Sequence, residues 1–224
     1  MNEVMKNVCS VCNTVRDDSI QGICFQKLLS KLRKEFRKQV FDLHIKTTRN
    51  KDLLPGEYYI NATYDSFDDH LNETPIEVVV YHNFDKLVEW ETKHVTEFLI
   101  QIFDAVVHEF KHQRQSFTRI HESYWTHTSS TQNFKGYLED PDEIDAYALS
   151  IAIELCRTLG KFRALRYMTR ISLLGKFKIR GLYASPTLSS YLGTVGDLNN
   201  PIIKKLAKKI YIRLQKIDTE VIFM

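Results

Sequence analysis

Apolar side chains at positions 95, 98, 99, 102, 103, 106, 107 and 110 recur at the spacing of one helical face, and predict a long helix over residues 91–117. A second stripe at 25, 28, 29, 32, 36, 40 and 41 predicts a helix over 25–41, with a face dense in Lys and Arg opposite it. Between the two lie runs of a different kind. Residues 57–64 (EYYINATY) and 76–82 (IEVVVYH) are rich in β-branched and aromatic side chains and read as strands. The polar DSFDDHLNETP segment between them suggests an antiparallel pair joined by a long connection.

The rest of the chain is punctuated less evenly. Residues 1–24 read as an irregular or short helical lead-in, and 47–56 as a polar stretch ending in the Pro55-Gly56 turn. Residues 119–136, polar and aromatic, suggest a loop or short helix over a site. A helix is expected from Asp140-Pro141 to about Leu159, closed by a turn at Gly160, then another over 161–174. Residues 175–200 hold four glycines and Pro186 and read as turn-rich. An amphipathic basic helix over 201–217 closes the pattern. The class expected is α+β, with a small antiparallel or mixed sheet and a mostly helical C-terminal half. The expected division is a basic helical extension at 1–50, a central domain at 51–200 and the C-terminal helix at 201–224.

Composition narrows this only a little. At 224 residues the chain can bury a full core, and 43% hydrophobic with 26% charged residues is ordinary for a globular protein. A net charge of +3 is too weak by itself to imply nucleic-acid binding. No run approaches the ~20 apolar residues of a membrane span, and the N-terminus lacks the basic-then-apolar order of a signal peptide. A cytoplasmic protein is the expectation. Cys9 and Cys12 form a C-x-x-C, with Cys24 as a possible third thiol. No second close pair completes a structural zinc site, so reduced thiols are expected.

The candidate chemistry lies late in the longest helix. His108-Glu109-Phe110-Lys111-His112 is an H-E-x-x-H pattern. Four residues on a helix return to the same face, so both imidazoles can meet one metal ion. Glu109 then stands beside the open coordination position, where it can take a proton from a metal-bound water. Such an arrangement points to a zinc hydrolase acting on peptide bonds. Lys111 departs from the pattern, since that interior position is usually uncharged. Without a metal, the same residues describe a solvated helix edge carrying two ordinary histidines.

A catalytic zinc needs a third protein ligand. The acidic run YLEDPDEIDAYA supplies candidates, and Glu143-Ile144-Asp145-Ala146 gives E-x-x-A beginning 31 residues after His112. Across residues 90–160 these motifs resemble zincin-type metallopeptidases with a glutamate third ligand, including the HtpX-like and ImmA-like groups. The pairing of HEFKHQ with EIDAYA is also similar to small zincin-like proteins of phages. The resemblance implies a zincin-like fold with His108, His112 and Glu143 as Zn2+ ligands, Glu109 as general base and a peptide or protein as substrate. It also implies that Ala146 allows close helix packing. Tyr147 departs from the Asp or Asn that many relatives carry. Asp145 and Glu139 are the fallback ligands.

Glu143 has a rival assignment. Asp140, Pro141 and Glu143 stand where an N-cap, a first-turn proline and a capping-box glutamate belong. Of the side chains between the ligand segments, Tyr124 is the leading candidate to steady an oxyanion, ahead of His121, His127 and Tyr137. The strand at 76–82 is a candidate edge for an extended peptide.

Basic residues suggest a rival class of function. The helix at 201–217 carries Lys204, Lys205, Lys208, Lys209, Arg213 and Lys216, and Lys31, Arg33, Lys34, Arg37 and Lys38 lie near the N-terminus. Solvated lysines on a docked helix explain them, and contact with nucleic acid or an anionic surface is the functional alternative. A catalytically silent zincin-like protein, virion-associated or binding nucleic acid, is therefore the second expectation.

Overall fold

The computed structural model describes residues 1–19, 22–39, 43–65, 75–84, 89–120, 134–174, 183–196 and 199–224. The protein is α+β, and its chain divides into two compact units. The first comprises Met1–Phe117 with Phe223–Met224, and the second comprises Thr118–Ile222.

In the first unit the chain opens with helix α1 (Asn2–Asp17). The lead-in expected at 1–24 is therefore a full helix through residue 17. Met5, Val8, Cys9, Val11, Cys12 and Val15 form its buried stripe, so the two cysteines serve as small apolar side chains. None of the four cysteines is in a disulfide. Strand β1 (Ile23–Cys24) leads directly into α2 (Phe25–Lys38), which buries Phe25, Leu28, Leu29, Leu32 and Phe36.

Strand β2 (Leu43–Arg49) comes next, then β3 (Tyr58–Thr63) and β4 (Ile76–His82). The sheet order is β2-β4-β3, with β4 antiparallel to β3 and parallel to β2. The expected antiparallel pair is present. β2 was not expected, because the polar reading of 47–56 hid its end: Leu43 and Ile45 are its only buried apolar positions, and it runs on as Lys46, Thr47, Thr48, Arg49. Strand β4 alternates strictly, with Ile76, Val78, Val80 and His82 buried. A two-residue ladder pairs β1 with β5 (Glu89–Trp90). Helix α3 (Thr92–Ile120) follows, with Val95, Phe98, Leu99, Ile102, Phe103, Val106 and Val107 fully or almost fully buried.

An aromatic cluster holds this unit together. The Phe25 ring lies 4.5 Å from Phe84, 5.2 Å from Trp90 and 6.0 Å from Phe98. These centroid separations lie in the range where tilted and edge-on contacts stabilise beyond area burial. Cys12 Sγ also faces the Leu99 carbonyl, tying α1 to α3.

The second unit is helical. Helix α4 (Phe134–Glu139) precedes α5 (Pro141–Leu159), α6 (Lys161–Leu174), α7 (Pro186–Val195) and α8 (Pro201–Lys216). Helix α5 ends at Gly160, whose φ of +75° a side-chain-bearing residue rarely adopts. Helix α8 packs on α5 through Ile203, Leu206, Ile210 and Leu214. The turn-rich reading of 175–200 is corrected by α7. Ser185 caps it by accepting from the Leu188 amide, Pro186 opens its first turn, and Leu188, Tyr191 and Val195 form a buried stripe. Glycine content obscured that signal. Among the described residues no helix is long and apolar enough to cross a membrane.

Candidate metal centre

His108 and His112 come from consecutive turns of α3, and their Nε2 atoms stand 3.1 Å apart. The rings meet edge to face, with centroids 4.8 Å apart. Two nitrogens bound tetrahedrally to one zinc at about 2.05 Å would lie roughly 3.3 Å apart. The pair is thus already spaced as two ligands of a single ion. Burial, and then the neighbouring His112, pushes the His108 imidazole down to about 3. It is neutral at physiological pH, the protonation state in which an imidazole nitrogen can ligate a metal.

The surroundings are unlike a solvated helix edge. His108, Glu109 and His112 are half-buried, and Lys111, the unusual interior residue of the motif, is buried. The charged residue within the motif therefore does not mark an exposed face.

In the second unit, the start of α5 separates the roles of its acids. Asp140 is the N-cap, its carboxylate accepting from the Asp142 amide at 2.7 Å. The Asp140 amide itself donates to the Tyr137 carbonyl at 3.1 Å. That amide is the donor a capping-box glutamate would take, so the expected reciprocal cap is already supplied by backbone. Glu143 is half-buried, and its Oε2 atom is shielded from solvent. Ala146 is fully buried.

The fallback ligands are placed differently. Asp145 accepts from Arg213 Nη2 at 2.7 and 2.6 Å and lies 3.3 Å from Lys209 Nζ. Glu139 is exposed. Lys209 and Arg213 had been counted toward a basic surface, and they are instead committed to α5. Tyr124, the candidate oxyanion donor, lies outside the described residues, as do His121, Trp125 and His127. Tyr137 is half-buried in α4. The strand at 76–82 is not an edge: β4 is hydrogen-bonded on both sides, so an extended peptide cannot pair with it.

One neighbour of Glu143 was not anticipated. Tyr191 of α7 donates its hydroxyl to the Leu138 carbonyl and meets the Tyr147 ring edge-on at 5.4 Å. Burial raises its phenol pKa, and Tyr147, Glu143 and Glu139 raise it further, so it remains a neutral donor that fixes the chain just before α5. The Ser185-Pro186 helix start was the available signal. Compared with protein-family models, characterised proteins and solved structures, the chain matches none.

Proposed function

We propose that this chain is a zinc-dependent metallopeptidase of zincin-like fold, in which His108, His112 and Glu143 hold the ion and Glu109 is the general base. The observation that carries the reading is the pair on α3: the His108 and His112 Nε2 atoms stand 3.1 Å apart, close to the spacing of two ligands on one zinc ion. Two neutral nitrogens and one carboxylate are the donor set of a catalytic zinc that keeps a fourth position open. The availability of a backbone acceptor for the Asp140 amide removes the need for Glu143 as a cap and leaves its carboxylate for this role.

The ion supplies Lewis acidity, lowering the pKa of a bound water and polarising a substrate carbonyl. The chain's own residues do the rest. His108 and His112 come from consecutive turns of one helix, which holds both imidazoles on the same face for an ion. Glu109 accepts the proton of the attacking water and returns it to the leaving amine, the task of a general base and then of a general acid.

The test is hydrolysis of an unstructured protein such as casein by the zinc-loaded chain, with zinc stoichiometry measured alongside. Glu109→Gln is expected to lower the rate by roughly 10²-fold or more while about one zinc per chain is retained. A chain that takes up no zinc, or a Glu109→Gln variant as active as the wild type, overturns the reading.

A further inference from the structure

The charge of the protein is unevenly placed. Helix α2 carries six basic residues (Lys27, Lys31, Arg33, Lys34, Arg37 and Lys38) and one acid, Glu35, a balance of +5. The whole chain carries +3, so everything outside α2 sums to −2. Four of these cations and Ser30 line an open groove of about 480 Å³. The groove is partly built. Arg33 is half-buried and donates from Nε to the Ile45 carbonyl of β2 at 2.9 Å, which fixes its guanidinium. Lys38 is paired with Glu35 at 2.6 Å. Lys34 and Arg37 are exposed and have no acidic partner among the described residues.

We infer that this groove binds the phosphate backbone of a nucleic-acid strand. Like charges one helical turn apart repel and destabilise the helix, so two unneutralised cations beside a fixed Arg leave α2 short of counter-charge. A row of phosphates supplies it. Arg33 and Arg37 lie four residues apart, about 6 Å along the axis, as do Lys34 and Lys38, so cations repeat along the groove. Guanidinium groups match phosphate oxygens in pairs. A membrane surface fits less well. Every large apolar side chain of α2 (Phe25, Leu28, Leu29, Leu32, Phe36) is buried in the first unit, leaving none to insert among lipids. Helix α8 has exposed lysines too, but Lys209 and Arg213 are engaged by Asp145. This inference is independent of the zinc reading.

The experiment is fluorescence anisotropy with a labelled 20-nucleotide single strand and its duplex, from 50 to 200 mM salt, using the full-length chain. The wild type is expected to bind with a clear salt slope. Lys34→Glu with Arg37→Glu is expected to weaken binding at least tenfold and to lower the log–log salt slope by about 2, one for each lost phosphate contact. Lys204→Glu with Lys208→Glu makes the same change in net charge on α8 and is expected to leave affinity within twofold. Circular dichroism on both variants confirms that they are folded. Equal losses in the two double variants, no salt-dependent binding by the wild type, or tighter binding to vesicles containing phosphatidylserine than to either nucleic acid would each overturn the proposal.

Discussion

The amide of Asp140 donates to the carbonyl of Tyr137, three residues back, at 3.1 Å. This bond separates the two jobs open to the acids at the start of α5. Asp140→Ala removes a cap and is expected to destabilise the protein by about 1 kcal/mol while leaving its zinc content unchanged. Glu143→Gln keeps the shape of the side chain and is expected to lose most of the bound zinc with only a small change in the metal-free melting temperature. Metal analysis after dialysis, together with thermal melts with and without zinc, checks both. Zinc retained in Glu143→Gln would return that residue to a structural role.

Asp145 offers the complementary control. Its carboxylate is largely buried at 15% side-chain exposure, and it holds Arg213 and Lys209 of α8. Asp145→Asn leaves the Arg213 guanidinium without its full counter-charge and is expected to cost roughly 1–3 kcal/mol. Zinc stoichiometry is expected to stay at the wild-type value. A double-mutant cycle with Arg213→Met measures the coupling, and a sum of single effects equal to the double would show the pair contributes nothing.

How much of this was legible in the sequence depended on the kind of signal. The α3 stripe and the α5 start could be read because each is local: periodicity in one case, an Asp-Pro cap in the other. The β4 alternation was equally plain, but its central place in the sheet was not, because partner strands are a property of the fold. β2 is not legible in the sequence because its buried residues are only Leu43 and Ile45, too few to stand out against polar neighbours. The full length of helix α1 was not legible because its apolar stripe includes Cys9 and Cys12, whose C-x-x-C spacing also fits a metal or redox motif. His108 and His112 were found by spacing alone. What spacing could not reveal is that Asp145 is engaged by Arg213, 68 residues away.

The start of α7 rests on a second carboxylate. Glu154 accepts from the Ser185 hydroxyl, from the Thr187 amide at 3.2 Å and from the Thr187 hydroxyl at 2.6 Å. Glu154→Ala leaves these donors unanswered next to the fully buried Ser185 and is expected to destabilise the protein by about 2–3 kcal/mol. Ser185→Ala is expected to cost about 1 kcal/mol, the worth of one cap. Urea midpoints check the order. A smaller loss for Glu154→Ala than for Ser185→Ala would show that the carboxylate does not organise this turn.

Thiol reactivity follows from burial. Burial pushes the Cys156 thiol up to about 11, against a smaller lowering by Lys161, and Cys9 is also raised, mainly by burial. Since the thiolate is the reactive form, both are expected to react with iodoacetamide in the native protein far more slowly than in urea at pH 7.5. Cys24, half-exposed at the end of β1, is expected to react first. Peptide mapping of the labelled sites gives the order. Early modification of Cys156 in the folded chain would contradict the packing of α5.

Acid is expected to destabilise the metal-free protein over a defined window. Burial lowers the His82 pKa, with the Arg49 charge acting in the same direction, and His108 is pushed down to about 3. An unfolded histidine takes up its proton near pH 6.5, whereas these two resist it in the folded chain. Protons therefore favour the unfolded state below that value. The stabilisation is fully present above pH 6.5 and is lost progressively as pH falls toward 3. Urea midpoints are expected to be flat from pH 8 to 7 and to decline from pH 6.5 to 5, above the range where most carboxylates titrate. His82→Phe keeps an aromatic ring against Phe84, which His82 stacks on at 4.4 Å, and removes one of the two protonation sites. Its midpoint is expected to fall less steeply over the same interval. A slope equal to that of the wild type would show that His82 does not take part, and a wild-type midpoint that rises on acidification would contradict the assignment of both histidines.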